Sequence, residues 1–154
     1  MNQLTPTFSG RTLVVAFEGW NDAAESASAA VKFMAEALSA EVVGSVDPED
    51  YYDFQFTRPS VAFESDGSRN IIWPGAEICA PAKEVVQASP EFGKINFLIG
   101  TEPSRRWKSF TAEIIELIED REIDAVLFLG AMLADVPHSR PISVVATSQN
   151  EHAR

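Results

Sequence analysis

The sequence predicts an α/β domain built around a mostly parallel sheet, and three observations carry that reading. Short apolar runs without alternation occur at Thr12–Glu18, Lys94–Gly100 and Ala125–Gly130, the pattern of strands covered on both faces. Each run ends at or beside a glycine (Gly19, Gly100 and Gly130) and gives way to a polar loop. Two stretches with helical spacing lie between them, so strands and helices alternate along the chain.

The first strand, Thr12–Glu18, stops at Gly19, and Asp22 followed by Glu25 has the spacing of a capping box. Ala27, Val31, Met34 and Leu38 then repeat on one helical face, predicting a helix over Ala23–Ser39. Its many alanines allow close approach to a sheet. Val42–Val46 follows as a second buried run, so strand, helix and strand imply a right-handed βαβ unit.

Val61–Glu64 and Asn70–Trp73 flank Ser65-Asp66-Gly67-Ser68, predicting a β-hairpin with an Asp-Gly turn, inserted as an edge or flap. Beyond Lys94–Gly100, Ser104 is placed to cap a helix with Trp107, Phe110, Ile114, Ile115 and Ile118 on one face. Ala125–Gly130 is the next strand, and Ile142–Thr147 is expected to form another. Two helices cover an α/β sheet incompletely, which implies a partner subunit or a longer protein.

Composition narrows the function classes. The 154 residues fit one domain over 1–154, with 45% hydrophobic and 23% charged residues, as in globular proteins. A net charge of −11 repels phosphate backbones, and the short cluster Arg105, Arg106 and Lys108 is no basic stripe. Nucleic-acid binding is therefore disfavoured. Cys79 is the only cysteine, so no internal disulfide forms and a reducing compartment fits. Met1–Gly10 lacks the layout of a signal peptide, and no apolar run reaches bilayer-spanning length. A cytoplasmic protein away from membranes is expected.

In doubly wound sheets ligands gather at the carboxyl ends of strands. The three loops there supply Glu18, Asp22, Glu102, Asp135, His138 and Arg140. Glu18, Asp22, Asp135 and His138 are the candidates for acid/base chemistry. Gly19, Trp20, Asn21, Glu102 and Arg140 are candidate ligand contacts, and Arg58 adds an anion contact from the insertion. Each also has a structural use: Asp22 as a cap, Glu102 at a helix start, Arg140 as an ion-pair partner.

His138 and His152 are the only histidines and lack ligand spacing, so no metal site is expected. No Gly-x-Ser-x-Gly elbow occurs, and Cys79, with no histidine near it, reads as a buried inert thiol. Glycine-rich phosphate loops are missing too, leaving no expected cofactor. Trp20, Tyr51, Tyr52, Phe54, Phe56 and Trp73 fall outside the predicted central elements. They read equally as interface aromatics or as a satellite core beneath the hairpin.

Taken in order, the segments resemble the PAC2 family, the proteasome-assembly-chaperone-2-like proteins, and its actinobacterial members in particular. The resemblance rests on Val14-Val15-Ala16-Phe17-Glu18-Gly19-Trp20-Asn21-Asp22-Ala23-Ala24, on Tyr52-Asp53-Phe54 with Thr57-Arg58-Pro59, and on Gly100-Thr101-Glu102-Pro103-Ser104 with Trp107. Its most specific piece is Gly130-Ala131-Met132-Leu133-Ala134-Asp135-Val136-Pro137-His138-Ser139-Arg140-Pro141. The resemblance implies a three-layer α/β/α sandwich of nucleoside-phosphorylase-like topology. It also implies a further, mostly helical C-terminal portion, expected to be missing after Arg154.

Two functions are expected from these features. One is a non-enzymatic assembly-chaperone-like or protein-interaction module, acting on protein partners or as a homo-oligomer through its aromatic loops. The alternative is a small-molecule-binding enzyme of nucleoside phosphorylase or hydrolase type, with its site at the strand ends.

Overall fold

The computed structural model describes residues 10–148. The stretch before Gly10 that was read for a leader, and the polar tail Gln149–Arg154 with His152, lie outside the described residues.

Strand β1 (Arg11–Glu18) is buried because its side chains serve two layers. Val14 and Ala16 face one helix, while Leu13, Val15 and Phe17 face another. Helix α1 (Ser26–Ala37) lays Ala27, Ser28, Val31 and Ala35 on the first face, against Ala16, Phe97 and Cys79. Its small residues at helical spacing bring the helix backbone close to the sheet. The chain then reverses through Ser39, at φ 48°, into β2 (Glu41–Ser45).

The insertion follows. β3 (Ser60–Phe63) and β4 (Arg69–Ile72) pair antiparallel as a separate two-stranded sheet across the Asp66–Gly67 turn. Gly67 sits at φ 82°, a conformation glycine adopts without strain. β5 (Ala76–Ala80), the short helix α2 (Lys83–Ala88) and β6 (Ile95–Thr101) come next. Helix α3 (Trp107–Asp120) and β7 (Ile123–Phe128) complete the regular elements among the described residues.

The central sheet has the order β2-β5-β6-β1-β7. β1 is parallel to β6 and β7, β5 is antiparallel to both of its neighbours, and β2 therefore runs with β1. The sheet is mostly parallel, as expected, with helices on both faces. β1 and β2 share a direction but are separated by β6 and β5. On the second face α3 packs Ile114, Leu117 and Ile118 over Leu13, Val15, Ile78 and Leu98, while its Phe110 joins Val46, Tyr51, Tyr52 and Ala76. Burying side chains of this kind contributes on the order of 2 kcal/mol each, the dominant favourable term in such a core.

Several expectations are corrected. The first helix begins at Ser26, not Ala23. Residues Ala23–Glu25 form a separate 3-10 turn, with Ala24 and Glu25 both at φ 55°. Glu25 therefore makes no capping box, and Asp22 reaches over the turn instead. Ser104 does not cap α3, which starts after Arg106 at φ 53° with no side-chain cap. The Ser104 hydroxyl accepts the Asp53 N–H at 3.3 Å. Trp107 and Ile115 lie on the exposed side of α3. β5 and α2 were not anticipated. Ile142–Thr147 forms no strand, because no neighbouring strand supplies a ladder to it among the described residues.

Candidate functional site at the carboxyl edge of the sheet

β6, β1 and β7 are adjacent and parallel, so Thr101, Glu18 and Phe128 end on one edge of the sheet. The loops beyond them are joined by backbone hydrogen bonds. Ala131 N–H donates to Asn21 O at 2.8 Å, and Ala23 N–H returns to Ala131 O at 3.0 Å. Glu102 N–H donates to Glu18 O at 3.3 Å, tying in the third loop. Two glycines allow this closeness. Gly19 has φ 138°, and a Cβ there would sit 3.2 Å from the Glu102 carboxylate. A Cβ on Gly130 would come within 3.1 Å of Asn21 O.

The acidic candidates at this edge are already engaged. Glu18 pairs with Lys32 of α1, and its second carboxylate oxygen accepts the Thr101 hydroxyl at 3.4 Å. Glu102 accepts the Asn21 side-chain amide at 3.4 Å. Asp22 is buried, accepting the Ala27 N–H at 2.6 Å, the Ser28 N–H at 3.1 Å and the Ser28 hydroxyl. Burial alone pushes its pKa up. The Ser28 hydroxyl, the two backbone donors and the Lys32 charge outweigh that and hold it below the usual 3.8. A carboxylate so committed is a poor proton carrier near neutrality.

The remaining candidates are not gathered with these. Asp135, His138 and Arg140 lie on the exposed segment after β7, where the Arg140 N–H closes a turn onto Pro137 O at 3.0 Å. Arg58 is on the approach to β3. None of the four makes a side-chain hydrogen bond or ion pair with another described residue. The edge thus brings together Glu18, Gly19, Asn21, Asp22 and Glu102, and leaves Arg58, Asp135, His138 and Arg140 outside that cluster. Among the described residues no group of three or more His, Cys, Asp or Glu side chains could hold a metal ion. Cys79 is buried, and burial pushes its thiol up from the ordinary value.

A different feature dominates the edge. Trp20 is 92% exposed, Met132 91% and Leu133 90%, on the two loops that Asn21, Ala23 and Ala131 clamp together. Trp20 was among the aromatics singled out by the sequence, but Met132 and Leu133 were not. The signal for them was two large apolar residues in a loop that follows a strand and a glycine.

The other aromatics divide. Tyr51 and Tyr52 are fully buried, forming a satellite core with Val46, Ala76 and Phe110. The Tyr51 hydroxyl donates to Glu113, and Tyr52 donates to Thr101 O at 2.8 Å. Phe54 packs edge-on against Trp73 with ring centroids 4.9 Å apart. Phe56 stays exposed. On the α1 face, an apolar cavity of about 590 Å³ opens between Val14, Phe33, Met34, Phe92, Ile95 and Leu127.

No helix among the described residues is long and apolar enough to cross a membrane. The PAC2 family model matches residues 16–154. A PAC2 family protein from Streptomyces avermitilis superposes with a TM-score of 0.70 at 38% identity, covering 85% of this chain and 54% of that one. A proteasome-assembly chaperone homologue from Mycobacterium tuberculosis gives 0.71 at 36% identity, covering 84% of this chain and 53% of that one. A Mycobacterium tuberculosis protein of unknown function gives 0.73 at 29% identity, covering 92% and 47%. The chain thus spans about half the length of these structures. A search of curated proteins finds no match. With an α/β sandwich, the matched strand-end loops and this coverage, the chain belongs to the PAC2 family.

Proposed function

We propose that the chain is a protein-interaction module of the assembly-chaperone kind, binding a partner protein at the carboxyl edge of its sheet. The observation that carries this reading is the pair of clamped loops presenting Trp20, Met132 and Leu133 to solvent. Aromatic and methionine side chains are enriched at interface centres, the aromatics because they bury large area with little loss of freedom. The engaged state of Glu18, Asp22 and Glu102 argues in the same direction, because a catalytic edge needs uncommitted groups. A relative's description as a proteasome-assembly chaperone homologue is consistent with such a role.

Native mass spectrometry of the purified chain, with and without Trp20→Ala and Leu133→Ala, tests it. The expected result is a specific complex that both substitutions weaken while the fold persists. A thermal-shift screen with inorganic phosphate, nucleosides and sugar phosphates provides the contrast. A rise in melting temperature that His138→Ala abolishes would favour a small-molecule site instead.

A further inference from the structure

β3 and β4 form a sheet of their own, and neither strand contains a fully buried residue. Each keeps an outer edge unpaired among the described residues. A lone two-stranded hairpin is marginal in water, and more strands or a packed face are needed for independent stability. Val61 and Ile71 pair across it at 55% and 54% exposure, and Phe63, 70% exposed, lies beneath the Arg69 guanidinium. Residues 58–73 carry Arg58, Glu64, Asp66 and Arg69 and are neutral, whereas the whole chain carries −11.

The turn decides which backbone groups face the open edge of β3. Glu64 N–H donates to Ser68 O at 2.9 Å, so Glu64 directs its backbone toward β4. Alternation along the strand then turns Ala62 and Ser60 toward β4, and Val61 and Phe63 away from it. Open edges are normally blunted by charge, proline or a covering element. β3, Ser60-Val61-Ala62-Phe63, has neither charge nor proline. Pro59 precedes its first residue, a place where a missing N–H is tolerated.

We propose that β3 pairs antiparallel with β3 of a second copy, joining two hairpins into one four-stranded sheet about a two-fold axis at Val61. In that register Val61 exchanges its N–H and C=O bonds with the partner's Val61, and Phe63 N–H donates to the partner's Pro59 carbonyl. Val61 lies midway between Arg58 and Glu64, so Arg58 falls directly opposite the partner's Glu64, on the same face of the sheet. Both side chains are exposed, and neither is in an ion pair with a described residue, whereas Asp66 is spent on the Ser68 N–H at 2.8 Å. The two-fold axis makes the Arg58–Glu64 contact twice. β4 offers no such register, since it has Arg69 but no acidic residue. The antiparallel arrangement also sets the two acidic bodies at opposite ends of the joined sheet, which lessens their repulsion. This surface is separate from the Trp20 loops and does not depend on the interaction reading.

Pairing one short strand buries less than the roughly 1,200–2,000 Å² of stable interfaces, so a dimer with Kd on the order of 100 µM is expected. It is a minor species at the low-micromolar concentrations of native mass spectrometry. Sedimentation equilibrium up to about 1 mM, well above that Kd, tests it. The chain carries Trp20→Ala and Leu133→Ala throughout, so that a complex at the Trp20 loops cannot stand in for the hairpin dimer. Arg58→Glu puts like charges opposite each other at two places and is expected to weaken the dimer about tenfold or more. Arg58→Glu combined with Glu64→Arg re-forms both contacts with their signs exchanged, and is expected to restore Kd to within about threefold. Unchanged circular dichroism shows that the variants stay folded. A monomer at every concentration would overturn the proposal, as would a dimer indifferent to Arg58→Glu. A dimer lost in Arg58→Glu and not regained by the double exchange would overturn it too.

Discussion

The carboxylate of Asp22 accepts the backbone N–H of Ala27 at 2.6 Å, reaching over a three-residue 3-10 turn to the start of α1. A second oxygen takes the Ser28 N–H and hydroxyl. One buried side chain thus satisfies helix donors that would otherwise be orphaned, and ties the β1 loop to α1. Asp22 is a structural residue at the edge where a catalyst would be sought.

Asp22→Ala is therefore expected to lower stability by about 1–2 kcal/mol, the cost of losing a helix N-terminal acceptor. Urea unfolding followed by circular dichroism measures it. The folded pKa lies below the ordinary 3.8, so the unfolded chain takes up the proton first as pH falls. The stabilisation is present above pH about 4 and disappears as pH drops through the folded value. Asp22→Asn should flatten that acid limb; an unchanged limb would assign it to other carboxylates.

The two tyrosines give an alkaline counterpart. Donation to Glu113, then burial, pushes Tyr51 up to about 12, and burial pushes Tyr52 up further. A raised folded pKa contributes stability that is complete below the unfolded value near 10 and is lost as pH rises through the folded one. Absorbance titration of tyrosinate should show neither group ionising around pH 10 while the fold persists. A folded-state midpoint near 10 would contradict the buried placement.

Gly100 offers a packing test. It pairs with Ala76 across the β5–β6 ladder, and a Cβ there would lie 2.8 Å from Ala76 Cβ and 2.9 Å from Gly75 O. Backbone on a central ladder has little room to yield. Gly100→Ala should cost about 1–3 kcal/mol by overpacking, read from the urea midpoint, whereas Gly75→Ala meets nothing within 4 Å.

Local signals in the sequence identify much of this architecture. Gly19, Gly100 and Gly130 mark where β1, β6 and β7 approach their ends, and the Asp66–Gly67 turn marks the hairpin. β5 escaped because Ala76–Ala80 is short, carries Glu77, and follows Pro74-Gly75. Its state is set by pairing to β2 on one side and β6 on the other, which no local pattern records. Ile142–Thr147 errs the other way, with strand propensity but no ladder. At the candidate site, residue type suggested acid/base groups at strand ends. Whether Glu18 faces Lys32, or Asp22 reaches Ala27, depends on packing between distant elements.

The central claim is that the clamped loops bearing Trp20, Met132 and Leu133 form a protein-binding surface. The most direct measurement compares native mass spectra and light scattering of the parent chain with those of a Trp20→Ala, Leu133→Ala double variant. Both side chains are almost fully exposed, so stability should change by less than about 0.5 kcal/mol per site. The predicted result is a defined complex with a protein partner or a second copy in the parent, lost or markedly weakened in the equally folded variant. A parent that stays a lone monomer, or a complex of equal strength in the variant, would contradict it.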